Sequence, residues 1–168
     1  MREITVKLYK FDELDDRAKE KARDWYREAC AYDNSAWTWE TVQEDAKGVG
    51  LTIRSLDQHR ANSGHFTTDA GECARAILAN HGAKCETYKT AKAFLEKQEK
   101  LVALLDDRNE TDAVSDELEE VAEDFLNDIL EDYRVMLEEE IEYQNSDEQV
   151  DESIRANEYE FTEDGRRS

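Results

Sequence analysis

The alternation of apolar and polar positions divides the chain into short strands and longer helices. In "EITVKLYKF", Ile4, Val6 and Leu8 fall on one side and Thr5, Lys7 and Tyr9 on the other, which predicts a half-buried strand. The period then lengthens. Leu14, Ala18, Ala22, Trp25 and Ala29 share one helical stripe, and Asp12 or Asp15 can cap its start by accepting free amide hydrogens. "DNSAWTWETVQEDAKGVG" predicts a second, shorter helix from Ser35 to Gly48, on which Trp37 and Trp39 cannot both be well buried on one face. "LTIRSLDQH" and "GHFTT" predict two strands, with Asn62 and Gly64 suited to a turn between them. Asp69 and Glu72 have the spacing of a capping box ahead of a helix that stops at Gly82.

From Glu86 to Leu105 a further helix is expected, with Tyr88, Ala91, Leu95, Val102 and Leu105 near one stripe. "DDRNETDAVS" and "QNSDEQVDES" predict polar breaks on either side of a helix spanning about 116–143 and capped by Ser115. Tyr159 and Phe161, alternating with Glu158 and Glu160, suggest a last strand. The expected order is strand, two helices, two strands, three helices, strand. That is an α+β domain whose small, mostly antiparallel sheet packs with about five helices. At 168 residues the chain fits one domain, 1–168.

Charge divides this domain in a way that periodicity does not. The chain carries a formal charge of −21, but residues 1–105 hold 18 acidic and 17 basic side chains. Residues 106–168 hold 25 acidic and 5 basic ones. A charge-balanced part, 1–105, is therefore joined to an acidic part, 106–168, made of the acidic helix and the terminal strand. Such a surface repels nucleic acid and acidic membranes and attracts basic surfaces.

The acidic helix is amphipathic. Leu118, Val121, Ala122, Phe125, Ile129, Tyr133, Met136 and Ile141 form an apolar stripe, so a packed helix is expected. Thirteen of the 27 residues from Asp116 to Glu142 are Asp or Glu, against the single Arg134. Like charges at i,i+4 spacing each cost ~0.2–0.5 kcal/mol. Glu138, Glu139, Glu140 and Glu142 also stand at the negative end of the helix dipole, where carboxylates are disfavoured. Local stability does not account for the pattern; the two readings it leaves are a solvated face and a surface for a cationic partner. Those 27 residues span ~40 Å of helix, so their carboxylates recur about as densely as the phosphates of one DNA strand, ~3.4 Å apart along its axis.

The candidate partner-binding residues are Glu120, Asp124, Asp128, Glu131, Glu138 and Glu139, as acceptors for Arg and Lys. Trp37 and Trp39, with Tyr32, are the candidate aromatic anchors. Lys19, Lys21, Arg23 and Arg27 are interleaved with Glu20, Asp24 and Glu28, a pattern of intrahelical pairs and not of a nucleic-acid surface.

Catalytic, cofactor and metal chemistry have no signature here. His59, His65, Cys73 and Cys85 show no paired ligand spacing, and the glycines match no phosphate-binding loop. No cofactor is expected, and the chain is read as a binding protein and not an enzyme. Cys30, Cys73 and Cys85 are an odd set without framework spacing, which fits reduced thiols in a cytoplasm. Neither a signal peptide nor a membrane span is expected.

The opening "MREITVKLYKFDELDDRAKEKARDWYREA", the stretch "ILANHGAKCETYKTAKAFLE" and the ending "NEYEFTEDG" resemble a group of small phage and prophage proteins loosely labelled "antitoxin of toxin–antitoxin stability system". The resemblance implies a mobile-element setting and a bacterial cytoplasm, and it transfers no catalytic residue. By analogy with small acidic phage proteins that block host defences, the expected function is non-enzymatic inhibition of a nucleic-acid-dependent system, of the anti-CRISPR or anti-restriction type. The acidic helix would then mimic nucleic acid at a basic groove. The alternative is an antitoxin-like protein that neutralises a toxin by direct binding.

Overall fold

The computed structural model describes residues 6–108 and 111–168, with the backbone alone described for Tyr32 and for residues 106–108 and 111. The fold is α+β. Its order is β1 (Tyr9–Lys10), a 3₁₀ turn (Phe11–Glu13), α1 (Asp16–Gly48), β2 (Leu51–Ser55), β3 (Ser63–Phe66), α2 (Ala70–Asn80), α3 (Glu86–Arg108), α4 (Thr111–Gln144), α5 (Asp147–Ala156) and β4 (Glu160–Phe161). The strands form two separate antiparallel pairs, β1 with β4 and β2 with β3, in place of one small sheet.

Two compact units result. The described chain up to Thr38 groups with Glu139–Ser168, and Trp39–Glu138 forms the other unit. The cores are correspondingly distinct. In the first, Phe11, Leu14, Ala18, Ala22 and Tyr26 bury against Val150, Ile154 and Phe161. In the second, Leu51, Ile53, Cys73, Ala74 and Ile77 pack with Ala91, Phe94, Phe125, Ile129, Leu130 and Tyr133. Each large side chain so buried contributes ~1.5–3 kcal/mol.

Several elements follow from local chemistry as expected. Asp15 Oδ1 accepts from the amide of Ala18 at 2.8 Å and caps α1. Asp69 does the same for Glu72 at the start of α2, also at 2.8 Å. The β2–β3 hairpin forms, and Asn62 Oδ1 accepts from the Asp57 amide at 3.1 Å across its loop. Gly64, expected in the turn, instead lies in β3 opposite Ile53, and it has to be glycine there because a Cβ would lie 2.6 Å from the Thr52 carbonyl oxygen and 2.9 Å from Leu130 Cδ2.

Other expectations are corrected. The first strand is only Tyr9–Lys10; Val6 and Leu8 are exposed, and Ile4 lies outside the described residues. The two helices expected between Asp12 and Gly48 are one 33-residue helix. Ser35 does not cap a new start: its hydroxyl donates to the Ala31 carbonyl at 2.7 Å, the back-bond of a serine inside a helix. No proline or glycine interrupts residues 16–47, so the polar run "YDNS" had nothing to break the ladder.

Ser115 likewise lies inside α4, which begins at Thr111, and the buried Val114 belongs to its apolar side. Residues 109–110 of the expected "DDRNETDAVS" break fall outside the described part. On α3 the buried line passes through Thr87, Ala91 and Phe94, whereas Val102 is exposed. The second expected break, "QNSDEQVDES", is mostly helix α5. Ser146 caps it by accepting from the Gln149 amide, and Val150 and Ile154, four apart, are both buried.

Candidate functional site

α4 runs for 34 residues, about 50 Å, without proline or glycine. Its apolar side is fixed by Phe125, Ile129, Leu130 and Tyr133, each at most 2% exposed. Of the expected stripe, Leu118, Val121, Ala122 and Ile141 are partly buried and Met136 is exposed. At 3.6 residues per turn, Glu120, Asp124, Asp128 and Glu131 share the opposite face, and Glu138 returns to it about five turns after Glu120.

The candidate carboxylates on this face fall into two states. Glu120, Asp124 and Asp128 are exposed and make no ion pair among the described residues. Asp124 and Asp128 border a groove of about 290 Å³ between α3 and α4, facing Lys89 and Lys97. Glu131 and Glu138 are instead held within the unit by Arg134. Its guanidinium reaches Glu131 at 2.6 and 2.8 Å and Glu138 at 2.7 Å. The hairpin loop adds a second set of donors, Asn62 Nδ2 to Glu131 at 3.0 Å and Gln58 Nε2 to Glu138. The hydrogen bonds from Arg134 and then Asn62 hold the Glu131 carboxyl below the usual carboxylate range. Glu131, Arg134, Asn62 and Gln58, with His59 and Arg60, border an open cleft of about 610 Å³.

The remaining candidates are distributed differently. Glu139 is exposed and Trp37 is 61% exposed, and both belong to the unit built from the two chain ends. Trp39, in the other unit, packs partly buried against the core that contains Val42 and Ala46. The structure thus separates the two tryptophans, one as surface and one as core margin.

Three features of α4 were not anticipated from the sequence. Arg134 organises the acidic face, although its i−3 and i+4 spacing to Glu131 and Glu138 was visible in the chain. Asp132 is half-buried and accepts from Thr90 Oγ1 at 2.6 Å. Burial raises its carboxyl above the usual range; the Thr90 hydrogen bond opposes that, and Glu86, Asp128 and Glu131 add to it. Tyr133 donates to Asp45 Oδ2 at 2.7 Å; the same oxygen lies 3.3 Å from His81 Nε2, and His81 Nδ1 meets Thr87 Oγ1 at 2.7 Å. Tyr133 with Asp45 ties α4 to α1, and His81 with Thr87 ties the end of α2 to α3, while the buried His81 Nε2 makes no hydrogen bond among the described residues. Thr87 is 1% exposed, so its hydroxyl is sealed from any substrate. No sequence spacing links four residues so far apart.

Among the described residues no group of three His, Cys, Asp or Glu side chains is placed to hold a metal ion. Cys30, Cys73 and Cys85 are free thiols, and burial, with Asp69 nearby, pushes the Cys73 thiol up to about 11. No described helix is long and apolar enough to cross a membrane. Comparison with family models, with curated proteins and with solved structures gives no match.

What the face can do follows from its chemistry. It offers ionised acceptors, about 6 Å apart at each i,i+4 step, on a backbone whose other side is anchored in a core. Guanidinium and ammonium groups are the complementary ligands.

Proposed function

We propose that the protein is a non-enzymatic inhibitor of a bacterial nucleic-acid-dependent defence system, of the anti-CRISPR or anti-restriction type. It acts in the cytoplasm of the host cell, where its acidic helix occupies a basic groove in place of nucleic acid. The observation that carries this reading is the row Glu120, Asp124 and Asp128: exposed, spaced along one face of a 34-residue helix, and in no ion pair among the described residues, although Lys89 and Lys97 line the same groove as Asp124 and Asp128. A partner's Arg and Lys supply the missing charge, and ions leave both surfaces on binding.

The test is capture of partners from a bacterial lysate on the immobilised full chain, followed by elution with DNA or RNA. Nucleic acid should displace the partner, and rising salt should weaken the complex. The variant Glu120→Lys, Asp124→Lys, Asp128→Lys should capture nothing. A partner that survives competing nucleic acid and the charge reversal alike would contradict mimicry. That outcome favours the second reading, an antitoxin-like protein gripping a toxin through apolar contacts, for which the exposure of Trp37 speaks. Such a complex should resist salt and should weaken when Trp37 is replaced by Ala.

A further inference from the structure

Trp37 and Tyr143 are large aromatic side chains left 61% and 56% exposed, and both lie in the unit formed by the chain ends. Each precedes one member of a contacting pair, for Thr38 Oγ1 donates to Gln144 Oε1 at 3.1 Å. Within this unit the partners on α1 step down from Thr38 to Arg27 to Arg23. Those on the C-terminal segment step up from Gln144 to Asn145 to Asp151. α1 therefore runs antiparallel to that segment. One residue turns a helix by about 100°. On antiparallel helices viewed from one end, a step back along each chain turns in opposite senses. Stepping back from the facing pair therefore brings Trp37 and Tyr143 out on the same side of the seam.

The carboxylates one turn away give that side its chemistry. Asp33 stands four residues before Trp37, and Glu139 and Glu140 stand four and three residues before Tyr143; all three are exposed. Ring faces bordered by carboxylates suit a planar cation that stacks through its face and donates N–H groups from its edge. The same unit already uses this arrangement internally: the Arg167 guanidinium lies 4.8 Å from the Tyr159 ring and 5.7 Å from the Trp25 ring. A nucleic-acid base could stack on the rings, but its phosphates would meet three carboxylates.

We infer that Trp37 and Tyr143 form an aromatic seat for an arginine of a basic protein partner. The inference rests on the proposed basic partner and adds a choice that charge alone does not make, arginine over lysine. It places a point of recognition outside the row Glu120, Asp124 and Asp128.

The test uses the full-length chain with oligoarginine and oligolysine peptides of equal length, read by tryptophan fluorescence and calorimetry. Oligoarginine should bind about tenfold more tightly than oligolysine. Trp37→Ala with Tyr143→Ala should erase that preference while circular dichroism stays unchanged. The ring-preserving pair Trp37→Tyr with Tyr143→Phe should keep it. Equal binding of both peptides, or a preference that outlives the double alanine change, refutes the seat and leaves the acidic-face reading standing. If neither peptide binds, both readings fall. Sedimentation showing self-association that the alanine pair abolishes assigns the surface to a second copy and overturns the inference.

Discussion

α5 and the exposed face of α4 are both rich in carboxylates, yet the fold treats them in opposite ways. On α5, Asp151 receives Arg23 of α1 in a two-pronged contact, at 2.7 and 2.9 Å, and Asp147 receives Arg27. Arg23 and Asp151 are only 19% and 15% exposed, so this pair sits in a seam between helices. Bonding to Asp151 holds the Arg23 guanidinium firmly protonated against the opposing pull of burial. On α4, Glu120, Asp124 and Asp128 meet no such cation among the described residues. Acidity of sequence therefore has two structural outcomes in one chain. Where an arginine from another helix arrives, the carboxylate holds the fold together. Where none arrives, the charge stays available to the outside.

The contrast can be attacked from several directions. The largest expected effect is on the support beneath the acidic face. Ile129→Ala should cost about 3 kcal/mol through the cavity it leaves among Phe125, Leu130 and Tyr133, seen as a lower midpoint in urea. Removing a cation from the seam should come next. Arg23→Ala leaves Asp151 half-enclosed without its partner and should cost about 2 kcal/mol, more than an exposed pair would. If Arg23→Ala proved no more costly than Arg166→Ala, whose partner Asp164 is half exposed, the distinction between seam and surface would collapse.

A smaller effect concerns Asp132. Its folded carboxyl is raised above its unfolded value, so the folded state binds a proton more readily. The associated stability is present at low pH and is lost as pH rises through the folded value. Asp132→Asn keeps an oxygen for Thr90 and removes the buried charge, so it should raise the melting temperature at pH 7 by about 1–3 °C. Thermal melts across pH should show the gain shrinking toward pH 4. A gain that is the same at both ends would remove the electrostatic explanation. The smallest expected effect is on the free row itself. Glu120→Gln, Asp124→Asn and Asp128→Asn together should leave stability unchanged or raise it by about 0.5 kcal/mol, since repulsion at i,i+4 is relieved. A clear loss in chemical denaturation would mean that these carboxylates serve the fold after all.

The legible parts of the fold are those governed by residues close in sequence. Asp15, Asp69 and the β2–β3 hairpin behave as local hydrogen bonding dictates. The merged α1 and the helical α5 were illegible for the same reason. Polar runs without proline or glycine neither require a helix nor forbid one, and what decides them is whether a neighbour buries Val42, Val150 or Ile154. In the candidate site, the row Glu120, Asp124 and Asp128 was readable from helical spacing. Capture of Glu131 and Glu138 by Asn62 and Gln58 was not, because those donors come from a loop about 70–80 residues away in sequence.

The sequence alone determined that this chain builds an amphipathic acidic helix, because periodicity and charge are properties of neighbouring residues. It also determined that Trp37 and Trp39 would be treated differently, since two positions two apart on a helix point in different directions. Only the tertiary structure decided which carboxylates are neutralised and which tryptophan stays exposed. Pairing and burial depend on which distant segments come within hydrogen-bonding reach, a few ångströms that no spacing along the chain encodes.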